Sequence, residues 1–206
     1  MNPTAMLRTF CDAVEARDGK SFATRRIIAT QNGQPILNMA ASFQVAEDGL
    51  HHQDAFPADT PPPADLKTDT ELRIEAAKNM LEVHRRRFLN SRSPIDVRPL
   101  HPRNWFSPTK RDPITYSWIK APAALPDDAA MHRAILAYAS DMGLMATSMM
   151  PHGVNWATPG MQTASLDHAM WFHRPFRADE WLLYAQDSPS AQHGRGLTRG
   201  QIFRLD

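Results

Sequence analysis

Hydrophobic positions along the chain change their period at a proline-rich break. Before the break, Ser21–Gln31 (SFATRRIIATQ) and Gln34–Val45 (QPILNMAASFQV) mix β-branched and aromatic residues with polar ones, without helical spacing. Asn32-Gly33 lies between them. That dipeptide favours a two-residue type I′ turn, so the region predicts a β-hairpin of long strands. The break itself, Phe56–Asp65 (FPADTPPPAD), removes backbone donors and fixes φ, which predicts a linker. Beyond it Leu72, Ala76, Met80, Val83 and Phe88 form an apolar stripe, and Thr68 with Glu71 has capping-box spacing. One helix over residues 68–89 is expected there, bridging two modules.

The most apolar run is Ala134–Met150 (AILAYASDMGLMATSMM), in which Asp141 is the only carboxylate. Such a run predicts a buried helix. Asp127-Asp128 would open it, because the helix dipole favours acids in the first turn, and Pro151-His152-Gly153 would close it. A lone carboxylate in a buried helix costs several kcal/mol unless it is paired or used. Asp141 therefore has two readings: an acid on a wet helix edge, or an acid at the lip of a pocket that does chemistry.

Strands are expected around this helix at Ile95–Leu100, Ile114–Ala121, Thr163–Phe172, Glu180–Asp187 and Gly196–Phe203. Consecutive strands beside one long helix give an α+β class, an antiparallel sheet wrapped around a central helix. The organisation read from the chain is a partial module with the hairpin at 1–55, the linker and bridging helix at 56–92, and a second module at 93–206.

Charge narrows the function classes. With 23 basic and 22 acidic residues the net charge is +1, which carries no nucleic-acid footprint. The short runs Arg85-Arg86-Arg87 and Lys110-Arg111 read as solvated faces, with a phosphate-binding patch as the alternative. The single cysteine, Cys11, cannot form a disulfide within the chain and suits a reducing compartment. No apolar run reaches about 18 residues without polar interruption, so no membrane span is expected, and the N-terminus lacks a signal pattern. His168 and His173 are five apart and would lie on opposite faces of a strand, which disfavours a metal pair. No metal and no cofactor are expected. Met142, Met145, Met149 and Met150 read as core filling, or as the lining of an acyl tunnel.

Several segments together resemble the acyl-coenzyme A thioesterase II family. In the first part they are Arg17-Asp18-Gly19-Lys20-Ser21-Phe22, Thr24-Arg25-Arg26, Gln31-Asn32-Gly33 and Ala41-Ser42-Phe43-Gln44. In the second they are Ala137-Tyr138-Ala139-Ser140-Asp141, the string SLDHAMWFHRPF (Ser165–Phe176), Glu180-Trp181-Leu182-Leu183-Tyr184 and Arg195-Gly196. The resemblance implies a double hotdog, two copies of a sheet wrapped around a helix. It also implies hydrolysis of fatty acyl-CoA to fatty acid and CoA. Of the family's Asp, Ser or Thr, and Gln, the Asp falls on Asp141 and the hydroxyl on Ser165. The Gln would fall on a late strand beyond Asp206. The match starts near residue 16, midway through the family's first hotdog, so the expectation is a chain trimmed at both ends relative to the family.

These residues suit the chemistry. A carboxylate within hydrogen-bond reach of a water can take its proton, and a hydroxyl can hold that water in line. A covalent route through Ser165 needs an adjacent base. His168, three residues on, falls on the opposite strand face, and Asp167 shares the Ser165 face without an imidazole. Asp141-activated water is therefore the preferred nucleophile. The alternative function is a non-catalytic hotdog fragment that binds acyl-CoA or pairs with another subunit. An exposed sheet edge would favour a homo-oligomer. The expected compartment is cytoplasmic, or peroxisomal for a eukaryotic source.

Overall fold

Asn32 and Gly33 both adopt positive φ, 51° and 76°, the geometry expected of that dipeptide in a type I′ turn. They close the predicted hairpin between β2 (Phe22–Gln31) and β3 (Gln34–Gln44). In this computed structural model, the residues described are 9–80, 82–90, 93–102, 104–106, 108–156 and 158–205. The chain divides into two compact units, Met1–Ala55 and Phe56–Asp206. The first holds a three-stranded antiparallel sheet, because β1 (Thr9–Asp18) pairs with the free edge of β2. That strand was not read from the sequence. Its charged stretch, Asp12 to Asp18, hides the alternation. On β3, Ile36, Leu37, Met39 and Phe43 are each about half exposed.

The second unit begins with the proline-rich run, which is no free linker. Its carbonyls are acceptors for the sheet behind it. Trp118 Nε1 donates to the Pro61 carbonyl (2.9 Å), and Arg98 Nη1 donates to Pro63 (2.6 Å) and Leu66 (3.2 Å). The Phe56 ring lies 6.1 Å from Trp118 and 5.8 Å from Phe203. The segment thus straps one face of the sheet.

The expected helix over residues 68–89 is two helices. Its start is as read: Thr68 and Glu71 form both halves of a capping box. But α1 (Asp69–Ala76) runs into a 3₁₀ turn and then Met80 in extended conformation (ψ 148°), before α2 (Glu82–Asn90). No Gly or Pro marks this break. Arg73 on α1 stacks on the Phe88 ring of α2, 5.3 Å from its centroid, and lies 5.9 Å from the Trp105 ring. Tertiary contact folds one helix back on the other and overrides the local stripe.

The main sheet is antiparallel in the order β4 (Asp96–Pro99), β5 (Ile114–Lys120), β6 (Leu182–Gln192), β7 (Arg195–Phe203). Its two faces are separated by strand alternation. Trp118 and Leu183 face the strap side, while Ile119, Leu182 and Tyr184 pack with Ile95, Leu136 and Ala139 in the core. Leu136 and Ala139 belong to α3 (Ala129–Ser140), whose N-cap Asp128 accepts from the amides of Ala130 and Met131. The helix therefore lies against the inner face of the sheet, as the α+β reading requires.

Two expectations about the second unit are corrected. The apolar run does not make one buried helix: α3 stops at Ser140, and a short α4 (Leu144–Met149) follows. And Thr163–Phe172 is not a strand. Residues 161–173 have no regular structure, and Leu166 and Trp171 are 82% and 74% exposed. A strand needs a partner, and none of the described residues pairs with this segment.

Candidate active site at the helix break

Gly143 explains why α3 ends where it does. Its φ is +93°, a region costly for residues with a Cβ, so the chain turns out of the α3 axis there. A Cβ at this position would also lie 2.8 Å from Gln186 Oε1. The break is held from β6. Tyr184 donates its hydroxyl proton to the Ser140 carbonyl (2.5 Å), and Gln186 Nε2 donates to the Met142 carbonyl (2.8 Å). Thr147 Oγ1 completes the set, its one proton shared between the Gly143 carbonyl (3.1 Å) and Gln186 Oε1 (3.2 Å). These carbonyls are orphans of a helix end, and buried side chains satisfy them. Gly200, beside them on β7, leaves room for the Tyr184 ring: a Cβ there would stand 2.3 Å from Tyr184 Cε2.

Asp141 is the C-cap of α3, between the two clamped carbonyls. It is exposed, not buried, because the helix breaks directly after it. Its charge is felt inside: burial first, and then the Asp141 charge, push the Tyr184 hydroxyl up to about 12. Tyr184 therefore stays protonated and keeps donating to the Ser140 carbonyl.

Ser165 lies on the irregular segment and is exposed. No hydrogen bond joins it to Asp141 among the described residues. What reaches the helix end is its neighbour His168, whose Nε2 lies 2.9 Å from Ser140 Oγ. Ser140 directs its own proton at the Ala137 carbonyl (2.8 Å), so Oγ accepts and His168 Nε2 carries the hydrogen. That nitrogen is thus not available as a base for Ser165. Met170, two residues on, packs on the core.

A cleft of about 470 Å³ runs along α3, lined among others by Ile95, Ala121, Met131, Ala134, Ile135 and Tyr138. All of these are apolar or present an apolar body. Asp141 does not line it. It lies seven residues beyond Ala134, two helical turns and about 10 Å along the same side of the helix. The Met-rich part of the run is elsewhere: Met149 is buried and Met142 packs against the core. No group of three or more His, Cys, Asp or Glu side chains able to hold a metal occurs among the described residues. No helix among them is long and apolar enough to cross a membrane.

Asp141 and Ser165 stand as the candidates read from the sequence, while the contacts that Tyr184, Gln186 and His168 make with the helix end were not expected from it. Gly143, two residues after the acid, was the available signal for the break. Nothing local signalled the clamp, since its side chains come from a strand more than forty residues later.

Comparison with known proteins bears on this geometry. A family model described as acyl-CoA thioesterase matches residues 85–206. Acyl-CoA thioesterase 2 of Haemophilus influenzae is 35% identical over 195 residues, 95% of this chain and 68% of that protein. Human acyl-coenzyme A thioesterase 8 is 35% identical over 197 residues, 92% of this chain and 61% of that protein. The chain thus spans about two thirds of the length of these relatives. Among solved structures, acyl-CoA thioesterase II TesB2 of Mycobacterium marinum superposes with a TM-score of 0.74 at 43% identity, covering 96% of this chain and 68% of that one. A hotdog-fold protein of Alicyclobacillus acidocaldarius superposes with a TM-score of 0.59 at 16% identity, over 93% of this chain and 65% of that one, a likeness of fold alone.

Proposed function

The chain belongs to the acyl-CoA thioesterase family, and from that premise we propose that it hydrolyses fatty acyl-CoA to a fatty acid and CoA, with a water activated by Asp141 as nucleophile. The observation that carries this reading is the position of Asp141. It is an acid facing water at the end of a helix whose flank lines an apolar cleft. Substrate chemistry matches both parts: the acyl chain needs an apolar cleft of this size, and the thioester carbonyl needs a base at its mouth. Water adds to the carbonyl carbon as Asp141 takes its proton. The tetrahedral oxyanion then collapses, the C–S bond breaks, and CoA leaves as the thiol once the proton is returned. Ser165 is the proposed water-orienting hydroxyl.

The test is release of free thiol from medium- and long-chain acyl-CoA. Asp141→Asn is expected to lower turnover by about 10²-fold or more, the scale of a general base. Equal rates for the two proteins would remove Asp141 from the mechanism.

A second reading, a non-catalytic hotdog fragment that binds acyl-CoA or pairs with another subunit, is favoured by one observation: Asp141 and Ser165 are not joined. Thiol release by the wild type decides between the two. Half-exposed apolar residues on β3 support a homo-oligomer, which sedimentation tests. A single cysteine supports a cytoplasmic location.

A further inference from the structure

We propose that His168 is a positioning residue: its bond to Ser140 pins the irregular segment 161–173, and with it Ser165, to the end of α3 that carries Asp141. This rests on the thioesterase reading for its functional consequence, but the pin itself stands on geometry. The segment has no ladder partner among the described residues, so backbone pairing does not hold it. Among the described residues its side chains make one hydrogen bond to the rest of the unit, His168 Nε2 to Ser140 Oγ at 2.9 Å. The acceptor is fixed. Ser140 is 3% exposed, its hydroxyl proton is committed to the Ala137 carbonyl, and its own carbonyl is held by Tyr184. The donor comes from the irregular segment, where His168 is exposed.

Chain geometry gives the reach. Three extended residues span at most about 11 Å, so fixing His168 confines Ser165 to the neighbourhood of the residue next to Asp141. Met170 adds an apolar contact to the core but no direction. A hydrogen bond to a buried, pre-oriented hydroxyl fixes register, which an apolar contact alone does not. Misplacement of a reacting group by about 1 Å can cost on the order of 10²-fold in rate. The pin therefore acts on turnover through Ser165, and not on substrate binding in the cleft.

The experiment uses the full chain with His168→Ala, His168→Gln and Ser140→Ala. Gln carries an N–H close to the place of the imidazole Nε2, so it keeps the donor. Two readouts are taken: kcat and KM for thiol release from acyl-CoA, and the rate of chymotryptic cleavage within residues 161–173, which include Leu166, Trp171 and Phe172. The expected result is faster cleavage in this segment for His168→Ala and Ser140→Ala, with near wild-type cleavage for His168→Gln. Turnover falls by about 10- to 100-fold in His168→Ala with KM within about twofold, and His168→Gln restores most of it. Unchanged cleavage in both His168→Ala and Ser140→Ala overturns the pin. Faster cleavage with unchanged kcat overturns its role in catalysis. A wild type that releases no thiol overturns the thioesterase reading instead, and cleavage still decides whether His168 holds the segment.

Discussion

Tyr184 and Gln186 sit two residues apart on β6 and hold the carbonyl oxygens of Ser140 and Met142, the two residues that flank Asp141. Residues two apart on a strand share a face, so one rigid strand grips both sides of the helix end at once. Among the described residues no hydrogen bond reaches the Asp141 carboxylate, which is exposed, while the backbone is held at both neighbours.

Gln186 is therefore expected to matter to stability and turnover together. Gln186→Leu keeps the bulk and removes both hydrogen bonds; the Met142 carbonyl loses its donor, while the Thr147 hydroxyl keeps the Gly143 carbonyl at 3.1 Å. A buried carbonyl left without its donor costs about 1–3 kcal/mol, so the urea midpoint falls and kcat falls with it. A variant that loses no stability and keeps full thiol release would show that the clamp is incidental.

Gly143→Ala attacks the same junction from the other side. An L-residue in this left-handed region costs about 1–2 kcal/mol, and the new Cβ would meet Gln186 Oε1 at 2.8 Å. The substitution should destabilise by more than that conformational cost alone, and Gln186→Ala should relieve part of it. A double-mutant cycle by denaturant unfolding measures the relief. Strict additivity would exclude contact between the two positions.

Local chemistry made the hairpin legible, because Asn32-Gly33 needs only its own φ values to close β2 on β3. The same held for the capping box at Thr68 and the N-cap at Asp128. What the sequence did not disclose are features made by distant partners. Arg73 reaches Phe88 and splits the bridging helix. Trp118 and Arg98 reach the proline run and turn a linker into a strap. Ser165 and Leu166 alternate as a strand would, yet pairing is not a property of one segment. The candidate site shows the same division. The isolated charge of Asp141 is visible in the sequence, while Tyr184 and Gln186, which hold the backbone on either side of it, come from β6.

Alkaline pH offers a handle on the clamp. The Tyr184 hydroxyl is pushed from its ordinary 10 up to about 12, by burial and then by the Asp141 charge. A group whose proton is held more tightly in the fold stabilises fully below its unfolded value and loses that stabilisation as pH rises. The window is thus between about pH 10 and 12. Tyr184→Phe leaves the Ser140 carbonyl without this donor and should be less stable at pH 7 by about 1–3 kcal/mol. The gap between wild type and Tyr184→Phe should narrow above pH 10, as read from urea midpoints. A constant gap up to pH 12 would refute the coupling.

Acid pH tests the start of α3. Asp179 accepts from the Leu125 amide (2.7 Å) and from Arg177 Nε (3.0 Å), and Arg177 Nη2 donates to the Leu125 carbonyl (3.0 Å). The next link is Ala178, whose amide donates to His132 Nδ1 on α3 (3.0 Å). The Arg177 guanidinium, and then the Leu125 amide, hold the Asp179 carboxyl down at about 2. With a folded value below the unfolded one, the stabilisation is present above about pH 4 and is lost as pH falls toward 2. Asp179→Asn should be less stable than wild type at pH 6, and the two should converge at pH 2. Thermal melts across that range check it. An undiminished difference at pH 2 would mean that the carboxylate charge does not hold this corner.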